Sequence, residues 1–373
     1  MKFNPSQPAQ LIEKQSALEA ILPELSEGAY LAVDTESNSL FAYQEQVCLI
    51  QFSNEKTDYL IDTLADLDLS CLHAVFSDPK LEKVFHAAEY DIVCLKRDFG
   101  FEFNALFDTM QAARILGFKH LGLSKLLEDQ FKIDSVKSFQ KANWGKRPLT
   151  QLMRQYARLD THYLIPLREK LEKQLQKNGL LELAQEDFER LCKVENNHNK
   201  APLYTQINGY HHLSQRQLTV LDALCRYRDS IASQLDRPLF KVIGARVLFS
   251  LAEASPKTLD ELENIKDLSS RMASKYGDGL IAAIQLGLRA PLIVLPTYQR
   301  LSRDYINRVE NLKLWRKNRG KKMGVQSDIV LPKDILEDIA GKHPKELSAL
   351  KDMMKDVPWR YQHYGEEILQ VIV

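Results

Sequence analysis

Excess charge of either sign, paired cysteine motifs and long apolar runs are all missing from this 373-residue chain. Lysine plus arginine and aspartate plus glutamate number 50 each, so bulk charge announces no partner. A nucleic-acid binder of this composition has to segregate its charges into patches. The five cysteines, Cys48, Cys71, Cys94, Cys192 and Cys225, form an odd count with no C-x-x-C pair, and most lie in apolar patterns. Buried thiols in a reducing cytosol fit them better than a disulfide framework. The stretch from Met1 to Pro8 has no apolar signal core, and no run approaches the ~20 apolar residues of a membrane span. The expectation is a soluble, cytoplasmic protein with no membrane contact, long enough for two or three domains.

What the chain does contain is a short apolar strand running into two acids, Tyr30-Leu-Ala-Val-Asp34-Thr-Glu36. Side chains two apart on a strand point to the same side, so Asp34 and Glu36 project together. Anions that close repel, and a cation or a proton has to sit between them. The pair reads either as a divalent-metal site or as a solvated turn after a strand.

Helical spacing over Leu11 to Leu25 precedes that strand, and two β-like runs follow it, Val47 to Ser53 and Asp58 to Asp62. Their short connections predict an antiparallel meander. A helical segment from Leu67 to Phe76, a strand from Lys83 to His86 and a helix opening at Ala87 come next, with Asp91 in the first turns of that helix. Phe107-Asp108-Thr109 starts a further helix, Leu121 to Phe131 another, and Thr150 to Leu175 a long one. This is an α/β layout with a mixed sheet. Between Phe131 and Pro148 periodicity lapses, and Phe139 and Trp144 lie among Lys132, Lys137, Lys141, Lys146 and Arg147. Aromatics among cations can stack bases and hold phosphates, and the same composition suits a solvated loop with two anchoring rings. Tyr156 and Asp160 form an i, i+4 pair on one face of the long helix.

The polar stretch Lys193 to Pro202 has linker composition. Beyond it the pattern is helical and repeats without gaps at a shift of 88 positions, placing Tyr227 on Trp315, Arg228 on Arg316, Leu248 on Leu336, Pro256 on Pro344 and Tyr276-Gly277 on Tyr364-Gly365. Agreement at core-type positions over such a length signals two copies of one small helical module. The second copy carries six basic residues and no acid between Lys313 and Lys322, a candidate phosphate-backbone footprint or a solvated basic helix end.

Taken together, Asp34, Glu36, Asp91 and Asp160 could face one sheet edge, where so many carboxylates are untenable without counter-cations. Hard oxygen donors suit magnesium or manganese, and two such ions ~4 Å apart serve phosphoryl transfer from both ends. Tyr156, with a reference pKa of ~10, suits orienting a water better than deprotonating it.

In their order along the chain, Asp34-Thr-Glu36, His86-Ala-Ala-Glu-Tyr-Asp91 and Tyr156-Ala-Arg-Leu-Asp160 resemble the three exonuclease motifs of the DEDD superfamily, in the branch whose third motif is Y-x-x-x-D. Leu121-Gly-Leu-Ser-Lys-Leu and Trp144-Gly-Lys-Arg-Pro-Leu149 are similar to the ribonuclease D family, and the helical repeats resemble the HRDC domains that follow the nuclease there. The resemblance implies an α/β ribonuclease H-like exonuclease domain over residues 1–195, a linker over 196–209, and two all-α HRDC-type helical domains over 210–292 and 293–373. It implies a two-metal mechanism with Mg2+ or Mn2+, and 3′ to 5′ removal of nucleotides from RNA, typically the 3′ trailer of precursor tRNA. Asp34, Glu36, Asp91 and Asp160 are its implied metal-binding acids and Tyr156 the residue that positions the nucleophilic water. The helical modules help hold the RNA, and no obligate protein partner is implied. Rival readings are a DNA-directed 3′-5′ exonuclease of the same superfamily and an inactive nucleic-acid-binding scaffold, the latter disfavoured by retention of all four acids and the tyrosine.

Overall fold

The computed structural model describes residues 8–133, 139–195, 201–295 and 301–372. Lys137 and residues 196–200 of the expected linker lie outside them. Strands β1 (Gln10–Ile12), β2 (Tyr30–Ser37), β3 (Val47–Ser53), β4 (Asp58–Asp62), β5 (Glu82–Phe85) and β6 (Leu106–Asp108) form a mixed sheet in the order β1-β4-β3-β2-β5-β6. The meander β2-β3-β4 is antiparallel, as its short loops require, while β1, β5 and β6 pair in parallel with β4, β2 and β5. Every residue of β3 and β4 is buried, because helices cover both faces of the sheet. One face packs Ile50, Phe52, Ile61 and Phe85 against residues such as Leu18, Ile92 and Leu95, and the other packs Leu49 and Leu60 against Trp144, Met153 and Ala157.

Three expectations need correction. Leu11 belongs to edge strand β1, opposite Leu60, and the helix begins only at Gln15. Phe107 and Asp108 belong to edge strand β6, and the helix starts at Thr109. Three-residue strands are set by a neighbour across the ladder and carry too few positions to show a period. The long helix is two, Gln151–His162 and Leu164–Lys177, broken at Tyr163. Pro166 accounts for the break, since it has no N–H to donate to residue 162 and is tolerated only in the first turn of a new helix.

The helical repeat is present at the expected offset. Helices Gln215–Gln234, Leu239–Val242, Ala245–Ala254, Leu259–Glu263 and Ser270–Arg289 begin 88 residues before Arg303–Met323, Ser327–Val330, Lys333–Lys342, Leu347–Met353 and Pro358–Ile372. Buried Arg228 donates to the carbonyl of Ile243, and Arg316 makes the equivalent bond to Leu331. The described residues divide into two compact units, one from within 1–37, 47–196 and 300–373, the other from within 38–46 and 197–299. In the second unit the β2–β3 loop packs on the first module, where Tyr43 donates through Oη to Asp229 at 2.8 Å and through its N–H to Asp236 at 3.0 Å.

In the first unit the second module is bonded to the helix Leu181–Cys192. Arg360, with no solvent exposure, donates to Glu186 at 2.9 Å and Asp187 at 2.8 Å, and also to the Ile329 carbonyl. Glu186 accepts the Trp359 N–H, Arg190 pairs with Asp334 at 2.8 Å, and Ile329 joins the core of the sheet.

Candidate active site

Strand alternation puts Asp34 and Glu36 on one side of β2, opposite Gln51 and Leu49 of β3. Both acids lie within the strand rather than after it, just before a register shift between Glu36 and Ser37. Strand β5 pairs with β2 only over Tyr30–Ala32, which leaves the next stretch of β2 open to the segment that follows β5. There the chain turns through Ala87, at a positive φ of 65°, and enters the helix Glu89–Phe99 that carries Asp91. The turn is fastened by Asp108 at the end of β6, whose carboxylate accepts the N–H groups of Ala87 at 3.1 Å, Ala88 at 2.8 Å, Met110 at 2.8 Å and Gln111 at 3.0 Å. The helix Gln151–His162 crosses the same face of the sheet and brings Tyr156 and Asp160 to the acids of β2.

The result is a cleft of about 310 Å³ lined by Asp34, Glu36, Asp160 and Tyr156, with His86, Ser124 and Gln140 on its walls. Candidate ligand oxygens of Asp34, Glu36 and Asp160 all lie within 4.8 Å of one another. Buried Asp91 stands outside that trio and accepts a hydrogen bond from Thr35 Oγ1. Burial first, and then Asp91, Asp160 and Glu36, holds the Asp34 carboxyl well above the usual range. Glu36 is pushed up to about 9 by burial and then by Asp160 and Asp91. Asp160 and Asp91 are raised to about 7, each chiefly by burial, against the lowering effect of hydrogen bonds from Tyr156 and Thr35 respectively. Two unit charges ~4 Å apart repel by about 4 kcal/mol at an effective dielectric of about 20, so this cluster demands protons or cations. A compact set of carboxylate oxygens is the donor chemistry that hard divalent ions take.

Tyr156 Oη is hydrogen-bonded to Asp160, and its ring packs on Phe139 at 5.8 Å and Trp144 at 6.1 Å between centroids. Burial, then the charges of Asp160, Glu36 and Asp34, keeps the phenol protonated far above neutrality. Of the loop read either as a base-stacking surface or as a solvated loop with two anchoring rings, Trp144 and Arg147 turn inward, while Lys132, Lys141 and Lys146 are exposed. Trp144 is buried at 1% exposure, and Arg147 is tied to Asp62 and to the carbonyls of Cys48 and Trp144. The basic helix is similarly reduced. Arg316 is spent on Leu331, Arg319 lies 3.3 Å from Glu367, and Lys313 lies 2.9 Å from Glu310. Lys317, Lys321 and Lys322 remain exposed.

His86, which the sequence shows only as the first residue of the second motif, lines the cleft and bonds Thr109 Oγ1 through Nδ1 at 2.9 Å, with its pKa lowered mainly by burial. Gln140 lies in the aperiodic loop, and Asp108 gave no signal beyond a helix start, so sequence reasoning passed over both.

Residues 9–176 match the family model described as 3′-5′ exonuclease, and residues 217–284 and 306–372 each match the HRDC domain. The chain is 31% identical to Protein RRP6-like 1 of Arabidopsis thaliana over 79% of its own length and 48% of that protein's, so it spans about half of that relative. It is 28% identical to the ribonuclease D of Pseudomonas paraeruginosa, over 92% of each chain. The crystal structure of Escherichia coli RNase D matches it with a TM-score of 0.71 at 23% identity, covering 94% of this chain and 100% of that one, a likeness of fold. The 3′-5′ exonuclease family uses divalent metal ions, consistent with the clustered acids. The chain thus combines a 3′-5′ exonuclease domain, built on a ribonuclease H-like mixed sheet, with two HRDC domains that follow it in sequence.

Proposed function

We propose that this protein is a 3′-5′ exoribonuclease that hydrolyses nucleotides from RNA 3′ ends, with the 3′ trailer of precursor tRNA as its substrate. The observation that carries the reading is the convergence of Asp34, Glu36 and Asp160 within 4.8 Å beside the Tyr156 phenol, in a chain similar to a ribonuclease D over 92% of its length. Asp34, Glu36 and Asp160, with Asp91 behind them, hold two Mg2+ or Mn2+ ions in this reading. Bound there, such ions would supply an acidified water and stabilisation of the leaving oxygen. Tyr156, protonated at working pH, directs the water by hydrogen bonding and does not take its proton. Phe139 and Trp144 keep its ring in place. Residues 1–195 form the nuclease, and the domains at 210–292 and 293–373 help hold the RNA, the second through Lys317, Lys321 and Lys322. No described helix is long and apolar enough to cross a membrane, and none of the five cysteines is in a disulfide, which fits action in the cytoplasm.

A 3′-extended tRNA and a DNA strand of matched sequence, each incubated with the protein with and without magnesium, test this reading. Stepwise shortening of the RNA, abolished by EDTA and by Asp160→Ala, is the expected result. Equal or faster trimming of DNA transfers the assignment to a DNA exonuclease, and binding without cleavage makes the protein a scaffold.

A further inference from the structure

On the side of the helix Gln151–His162 turned away from the cleft lies a second, buried polar cluster with no part in the chemistry above. Asp58, the first residue of β4, pairs across the ladder with Ser53, the last of β3. Its carboxylate accepts from Ser53 Oγ at 2.6 Å, from Arg158 Nε, and from His162 Nδ1 at 2.9 and 3.0 Å. Ser53 Oγ also lies 2.7 Å from Thr161 Oγ1. All five side chains are buried, Asp58 at 7%, Arg158 at 9% and His162 at 8% exposure. Burial favours the neutral acid, but hydrogen bonds from His162, Ser53 and Arg158 outweigh it and keep Asp58 below the usual carboxylate range. Being ionised, the carboxylate can only accept, which fixes Nδ1 as the protonated nitrogen of His162.

The spacing gives this cluster its meaning. Each residue of a helix turns roughly 100°, so Arg158 and His162 sit roughly 200° around from Tyr156 and Asp160, respectively. The apolar contacts of this helix with the sheet, through Met153 and Ala157, are non-directional and permit small rotations and slides. The bonds to Asp58 are directional and fall on two successive turns. We propose that Asp58 is a positioning residue: by holding Arg158 and His162 it sets the rotation of the helix about its own axis, and so the placement of Tyr156 Oη and the Asp160 carboxylate in the cleft. The proposal rests on the nuclease reading. An acid at β4 so acts on the reaction from across the helix, without touching substrate or metal.

Asp58→Asn keeps the shape and removes the charge, and Ser53→Ala removes the hydroxyl that bonds both Asp58 and Thr161 and leaves the acid in place. Three quantities are measured on each and on wild type: thermal unfolding, affinity for Mn2+ alone by calorimetry, and kcat and KM on 3′-extended RNA. Asp58→Asn is expected to lower kcat at least about 10-fold with KM within about twofold, and to weaken Mn2+ binding about 10- to 100-fold. Ser53→Ala is expected to shift both in the same direction by less. A lower melting temperature with wild-type kcat and Mn2+ affinity means that the cluster only stabilises the fold, and overturns the proposal. Should Asp58→Asn fail to fold, wild-type values in Ser53→Ala overturn it equally. A wild-type protein that neither binds Mn2+ nor shortens RNA sinks the nuclease reading itself, and this proposal with it.

Discussion

Arg360 Nη1 donates to Glu186 Oε2 at 2.9 Å in a contact that leaves the guanidinium no exposure to solvent, fastening the second HRDC domain to the exonuclease domain. Nη2 pairs with Asp187 and donates with Nε to the Ile329 carbonyl, so the buried charge is met by two carboxylates and a carbonyl. Arg360→Ala leaves Glu186 and Asp187 buried without their cation. The expected loss is about 3–5 kcal/mol of stability in this unit. A urea titration followed by tryptophan emission reads it, because Trp359 lies beside the contact. An unchanged midpoint means that the contact contributes nothing to stability.

The clustered acids make the metal-free protein sensitive to pH. Glu36 at about 9, and Asp91 and Asp160 at about 7, lie above their values in an unfolded chain. A raised carboxyl makes the folded state bind more protons, so stability falls as pH climbs from about 4 through the folded values. Asp160→Asn relieves part of that repulsion. In EDTA at pH 8 the variant is expected to melt about 2 °C or more above wild type, a difference that closes toward pH 4. Added Mg2+ raises the melting temperature of wild type more than that of the variant. A variant that melts lower than wild type in EDTA at pH 8 contradicts the repulsion.

Removing the Tyr156 hydroxyl tests its part in the reaction. Tyr156→Phe keeps the ring between Phe139 and Trp144 and deletes the bond to Asp160. The expected effect is a fall in kcat of about 10- to 100-fold with Mn2+ affinity nearly unchanged. A loss of Mn2+ binding as large as the loss of rate would make the tyrosine a support for Asp160 and not a director of water.

Of the six cations between Lys313 and Lys322, four lysines are exposed, and Lys317, Lys321 and Lys322 are the ones outside the ion pairs described above. Replacing all three with alanine is expected to weaken RNA binding and to lower the slope of log affinity against log salt by up to about 2, at ~0.7 per phosphate on a single strand. Hydrolysis of very short oligomers stays as in wild type. A slope equal to that of wild type removes RNA from this face.

Asp34 and Glu36 were legible because a period of two is local, and the repeat because 88 residues separate equivalent core positions without a gap. Asp91 on one helix and the Tyr156–Asp160 pair on another were legible from helical spacing, but that they share one site with Asp34 and Glu36 rested on their acidic character and on resemblance, since no local rule shows that two helices will meet one strand. Asp58 and Asp108 went unread for a physical reason. Asp58 acts through Arg158 and His162, about a hundred positions away, and Asp108, besides capping its own helix at Met110 and Gln111, holds Ala87 and Ala88, which are near it only in space. Arg147 and Arg316 looked like surface cations because a sequence does not show which long side chains fold back onto carbonyls.

The constant offset of the two helical domains sets Arg360 level with Met272, and Trp359 level with Arg271. One copy thus spends the start of its last helix on the nuclease, while in the other the Arg271 side chain is exposed. Two segments of common design therefore differ in mutational tolerance: a change absorbed at Arg271 or Met272 is expected to be damaging at Trp359 or Arg360.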